Sequence, residues 1–138
     1  MFIRRVVLAL LVMSCSAGLA QAEWVKVMDG SGAGGYTIYF ETTSLGIDKK
    51  RGLVKVRLLY DFKTAQTNHK GPYLSIRVQQ QYDCKEERSR ILESSHFDGN
   101  MANGKSVSTD TTEEPWKPVA PGTIGETLWK MACPDGKS

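Results

Sequence analysis

What this chain lacks narrows its function before any motif is considered. Only two histidines are present, His69 and His96, and neither falls in a G-x-S-x-G or H-E-x-x-H arrangement. Ser94-Ser95-His96 with Asp98 offers serine, histidine and aspartate, but neighbours along one strand point to opposite faces and do not assemble a triad. No catalytic residue is assigned. Three cysteines occur, Cys15, Cys84 and Cys133, without C-x-x-C spacing and with no histidine close in sequence, so no metal or redox centre is expected. The glycine-rich stretch at residues 30–35 lacks the Lys-Ser/Thr of a phosphate loop and leads into a strand pattern rather than a helix. It reads as a hairpin connection, and no cofactor is expected.

Charge of one sign is also missing. Taking Arg4 and Arg5 of the leader out of 18 basic side chains leaves 16 against 15 acidic ones, a net of about +1. Nucleic-acid binding calls for a clustered positive stripe, and near balance argues against it. Past the leader, no stretch approaches the roughly 18 apolar residues of a membrane-spanning helix.

The leader itself is informative. Residues 1–22 carry two arginines, an apolar stretch from Val6 to about Val12, and a small-x-small ending at Ala20-Gln21-Ala22. This is the pattern of a secretory signal peptide, with the mature chain starting at Glu23. A second reading takes Val12-Met13-Ser14-Cys15 as a lipobox and makes Cys15 the acylated first residue of a lipoprotein. Met13 is awkward there, and the Ala20-Gln21-Ala22 site is preferred. The chain is thus read as exported, to the periplasm, the cell envelope or the surface. Removing 22 residues of 138 leaves 116, enough for one domain with a real core at residues 23–138. Only Cys84 and Cys133 remain in it, and in an oxidising compartment an even, small cysteine count implies one disulfide.

Strand patterns fill most of the mature chain. Short candidates at residues 23–29 and 36–40 flank the glycine-rich loop. Residues 53–62 alternate, with Val54, Val56, Leu58, Tyr60 and Phe62 on one face and Lys55, Arg57 and Asp61 on the other. A period of two marks a sheet with one buried and one wet face. Residues 64–71 read as a polar loop. Residues 73–84 repeat the alternation and place Cys84 with Leu74, Ile76, Val78 and Tyr82. Further strands are expected at residues 88–97 and, at an edge after Asn103-Gly104, 105–110.

The tail changes period. Thr123-Ile124-Gly125-Glu126 fits a T-x-x-E capping box, followed by Ile124, Leu128, Met131 and Ala132 at helical spacing, and Pro134 stops the helix. Such a helix is too short to persist alone in water. A bond from Cys133 to the inward-facing Cys84 would pin it to the sheet. The fold class is therefore α+β, mainly β.

Taken in order, several marks resemble the bacterial surface-adhesin E family. They are Glu23-Trp24-Val25, the strand ending Tyr60-Asp61-Phe62, and Tyr73-Leu74-Ser75 leading to Tyr82-Asp83-Cys84. Trp116-Lys117-Pro118-Val119-Ala120-Pro121-Gly122 before a helix ending Ala132-Cys133 completes the set. The resemblance implies a six-stranded antiparallel sheet with a C-terminal helix tied to it by the cysteine pair. It also implies a non-enzymatic surface protein that binds host matrix and serum proteins, vitronectin and laminin among them. The alternative is a structural or stress-related envelope protein with no host partner.

Lys85, Arg88 and Arg90 form the densest basic group outside the leader and are the candidate partner-binding residues. Their ordinary meaning is a solvated strand end; their functional meaning is a rim that steers acidic partners. Lys49, Lys50 and Arg51 make a second, smaller group. Trp24, Tyr36 and Trp129 are expected in the core, and Trp116, among prolines, at the surface. An exposed edge strand would also allow a homodimer.

Overall fold

The structure, a computed structural model, describes residues 23–41 and 46–136. The expected signal peptide with its cleavage site, and Cys15 of the alternative lipobox reading, lie outside the described residues. The described residues form one antiparallel sheet, one α-helix and two short 3-10 turns, at Gly32–Gly34 and Asn100–Ala102. Eight strands appear in chain order: β1 (Trp24–Gly30), β2 (Tyr36–Glu41), β3 (Gly46–Asp48), β4 (Leu53–Asn68), β5 (Gly71–Asp83), β6 (Arg88–Phe97), β7 (Ser106–Asp110) and β8 (Lys117–Pro118). They are followed by the helix α1 (Ile124–Ala132).

The main path of six strands runs β1-β2-β4-β5-β6-β7. β3 pairs with Leu53–Lys55 of β4 where β2 has ended, and β8 pairs with Arg88 and Ser89 at the start of β6. The six-strand expectation thus holds for the path, with two short strands added at its margins. Loop 30–35 is the hairpin connection its composition suggested, with Gly34 and Gly35 at positive φ, conformations that glycine reaches without a Cβ clash.

Alternation along β4 holds on the expected apolar side, but Leu53 and Leu59, on the side of Lys55 and Arg57, are buried as well, so the expected wet face is wet only in part. Val54, Val56 and Leu58 are buried on one face, together with Ile38 of β2 and Val78 and Tyr82 of β5. α1 packs on that face through Leu128, Trp129 and Cys133, with Ile124 and Ala132 alongside. Met131, expected on the same stripe, is instead half-exposed, at 49%. It lies three residues beyond Leu128, about 60° around the helix, on the flank rather than on the seam.

Thr123 caps α1 as expected, its side chain accepting from the Glu126 amide at 3.2 Å. The Glu126 carboxylate points forward to Lys130 at 3.3 Å instead of back to the cap. Two links tie the helix to one end of β5. Cys133 is bonded to Cys84, and the Trp129 indole N–H donates to the Asp83 carbonyl at 3.0 Å.

One stretch departs from the sequence reading. Residues 64–68, expected as loop, continue β4, and only His69 and Lys70 form the turn into β5. Register shifts between Asp61 and Gln66, so residues 62–65 stand opposite Leu74 alone. A bulge of that size bends the hairpin. Its tip reaches β7, where the Asn68 amide donates to the Ser108 hydroxyl at 3.2 Å.

Candidate functional site

The expected basic rim maps to the face of the sheet opposite α1. Arg88 and Arg90, two residues apart on β6, point the same way and converge on Trp116, in the segment that crosses before β8. Their guanidinium carbons lie 4.7 and 4.4 Å from the indole centroid, within cation–π range. Trp116 is therefore half-buried rather than a free surface aromatic.

Each arginine has polar partners as well. Arg88 Nε donates to Asp83 Oδ2 at 2.9 Å; Arg90 Nε donates to Gln81 Oε1 at 2.8 Å, and Arg90 Nη1 lies 3.6 Å from the Glu113 carboxylate. Lys85 sits apart from them. Its ammonium donates to the Lys50 carbonyl at 2.9 Å, closing the end of the sheet against the turn that holds Lys49, Lys50 and Arg51. The structure thus brings Arg88 and Arg90 together and leaves Lys85 on a different neighbour.

Asp83 anchors this corner, a role not read from the sequence. Its carboxylate is buried, with 5% of the side chain exposed, and accepts from the Lys85 and Glu86 amides at 3.1 Å each and from Arg88. Burial raises its pKa, but the amides of Glu86 and Lys85 and the Arg88 guanidinium outweigh burial and hold it below the ordinary carboxylate value. An aspartate at a strand end before Cys-Lys-Glu is the signal that points to such an amide-capping turn.

The remainder of this face is mixed: Leu59, Ser75 and Phe97 are buried there, and the turn at residues 99–102 lies over one end, where Ser75 donates to the Gly99 carbonyl and the Met101 amide donates to Asp61. Arg57 pairs with the buried Glu41 at 2.8 Å, and Arg77 lies over the Phe97 ring at 5.2 Å. Gln79, Glu93 and Ser95 line a small hollow between the two arginines.

The other face holds the histidines. Separate in sequence, His69 and His96 line one hollow beneath the bent β4–β5 hairpin, together with Lys70, Ser94, Ser108 and Asp110. The Tyr73 ring meets His96 edge-on at 4.6 Å. Burial lowers the pKa of His96, so its ring is neutral at pH 7, and its buried Nδ1 has no hydrogen-bond partner. Among the described residues, no hydrogen bond joins either histidine to a serine or a carboxylate, so no activated nucleophile is assembled here. No three His, Cys, Asp or Glu side chains among the described residues are grouped to hold a metal ion. No helix among them is long and apolar enough to cross a membrane.

Solved structures of protein E from Haemophilus influenzae share this architecture. One matches with a TM-score of 0.60 at 13% identity, covering 83% of this chain and 97% of that one. A second crystal form gives 0.60 at 11%, covering 73% and 83%, and protein E from the non-typeable organism gives 0.58 at 12%, covering 83% and 86%. At such identities the likeness establishes the fold alone. No curated protein sequence matches the chain. The family model for surface-adhesin protein E matches residues 24–134, most of the chain. This chain belongs to the surface-adhesin protein E family.

Proposed function

We propose that this protein is an exported, non-enzymatic binding module that engages a protein partner at the cell surface. The observation that carries this reading is the sheet face opposite α1. It lies on the side away from α1, is covered by the turn at residues 99–102 only at its Asp61–Ser75 end, and elsewhere displays Lys55, Arg57, Arg77 and the Arg88–Trp116–Arg90 stack on interior strands. Protein interfaces favour arginine and tryptophan at their centres, and opposite charge across them raises encounter rates. Lys85, Arg88 and Arg90 form the margin of this face toward the partner. Host matrix proteins of the vitronectin and laminin type are the partners that family membership favours. A second copy of this chain, pairing along the open edge of β1 or β7, is a further protein partner the sheet would accept.

The test is binding of the purified mature chain to immobilised vitronectin and laminin at low and at high salt. Binding at low salt that weakens at high salt is expected, since exposed charges are screened. No binding to either at low salt removes the host-matrix assignment. The internal engagement of Arg88 and Arg90 favours a second reading, an envelope protein without a host partner. Protease treatment of intact cells separates the two: a surface module is digested, and a periplasmic protein is spared.

A further inference from the structure

We propose that Asn103 is a site of spontaneous deamidation, converting through a cyclic imide with Gly104 to aspartate and isoaspartate while the domain stays folded. The chain contains three asparagines, and the structure ties down the side chains of two of them. Asn68 donates from its amide to the Ser108 hydroxyl at 3.2 Å and accepts from the Lys70 amide at 2.8 Å. Asn100 donates to the Asp61 carboxylate at 3.1 Å and to the Phe62 carbonyl at 2.9 Å. Asn103 is exposed, and its side-chain amide makes no hydrogen bond among the described residues.

The nucleophile is free as well. Gly104 is exposed, and its N–H has no acceptor among the described residues. Ring closure joins this nitrogen to Cγ of Asn103, two groups the chain already holds side by side. A side chain on the residue after asparagine crowds that approach, and glycine has none. The fold requires glycine here: its φ is +79°, and a Cβ would run into the Asp98 carboxylate. Asn68 and Asn100 are followed instead by His69 and Met101.

One contact restrains the reaction. Asn103 has ψ of 169° and must rotate to bring the Gly104 nitrogen against Cγ, while its carbonyl accepts from the Gly99 amide at 3.1 Å. Giving up one ordinary hydrogen bond slows the folded chain about two- to tenfold relative to the unfolded one. In the reaction, the Gly104 amide proton passes to a solvent base and its nitrogen bonds to Cγ. The side-chain nitrogen takes a proton from solvent and leaves as ammonia. Water then opens the imide. Breaking the Cγ–N bond gives aspartate, and breaking the bond from the main-chain carbonyl carbon to nitrogen gives isoaspartate. Either product adds a carboxylate to the turn that Asp98 holds through the Lys105 amide, at 2.7 Å.

The experiment is incubation of the mature chain at body temperature and mildly alkaline pH, native and in guanidinium chloride. Peptide mapping by mass spectrometry and an enzymatic assay for isoaspartate follow. Amide-to-acid conversion at residue 103 is expected in the native chain, with isoaspartate in the mixture, about two- to tenfold slower than in denaturant. Asn68 and Asn100 should stay intact in the native chain, and Asn103→Gln should abolish the product. Conversion in denaturant alone overturns the proposal. So does aspartate formed without isoaspartate, since direct hydrolysis bypasses the imide, or native conversion of Asn68 or Asn100 at the rate of Asn103.

Discussion

Asp83 sits at the last position of β5 with three donors aimed at its carboxylate and the Trp129 indole on its carbonyl. One side chain thereby holds the β5–β6 turn, the start of β6 and, through its backbone, the helix. In Asp83→Asn the amide oxygen can still serve the two turn amides, but an NH2 then faces the Arg88 guanidinium. The expected cost is about 2–3 kcal/mol, because a buried charged partner is lost and a donor is set against a donor. The pH dependence has a definite sign. The native pKa of Asp83 lies below its unfolded value, so its contribution is complete above about pH 4 and is lost as pH falls through the native value. Urea unfolding of both proteins at a series of pH values checks this. The gap between them should be constant from pH 7 to about 5 and narrow below pH 4; a gap that persists unchanged into acid would disprove the assignment.

At the scale of elements, the segment carrying Trp116 works as a strap. Glu114 donates its amide to Ile91, Val119 donates to Glu87, and β8 pairs with the start of β6, so the indole is held over Arg88 and Arg90. Trp116→Ala should cost about 1–2 kcal/mol, from two cation–π contacts each worth about 0.5–1 kcal/mol at partly exposed sites. Trp116→Phe should recover part of it. Urea midpoints with unchanged m-values are the measurement, and no loss in the alanine variant would show the stack to be idle. The strap's path explains why this contact was not legible in the sequence. Prolines around Trp116 suggested exposure, but only the pairing of Lys117 and Pro118 with β6 brings the ring over residues 25 or more positions earlier. By contrast, the alternation of Val54, Val56 and Leu58 and the Thr123 cap were readable, because both are set by near neighbours. The bent hairpin lay between these extremes. Residues 64–68 are polar and mostly exposed, so they carry no hydrophobic period, and the strand there is held by its partner in β5. The meeting of His69 and His96 depends on that bend and was equally hidden.

As a whole the molecule is a single sheet with a helix over one end of it, which makes the attachment of the helix decisive. α1 has nine residues, too few to stay folded in water by themselves. It buries Leu128 and Trp129 against Val54, Val56 and Tyr82, and without it those strand residues would face solvent. The disulfide closes a loop with a sequence separation of 49, worth about 4 kcal/mol in the chain-entropy model. In a domain whose total stability is roughly 5–15 kcal/mol, that fraction is large. Reduction, or the Cys84→Ser/Cys133→Ser pair, should therefore lower the melting temperature by roughly 15 °C, taking about 4 °C per kcal/mol for a chain of this size. Hydrogen exchange locates the effect. If the bond acts by holding the helix down, the amides of residues 128–133 should exchange much faster after reduction, while those of the central β4–β5 ladder lose least protection and remain the last to exchange. Were the β4–β5 amides to lose protection as fast as the helix, the sheet and helix would be one cooperative unit. The bond would then stabilise the entire fold rather than the docking of its last element.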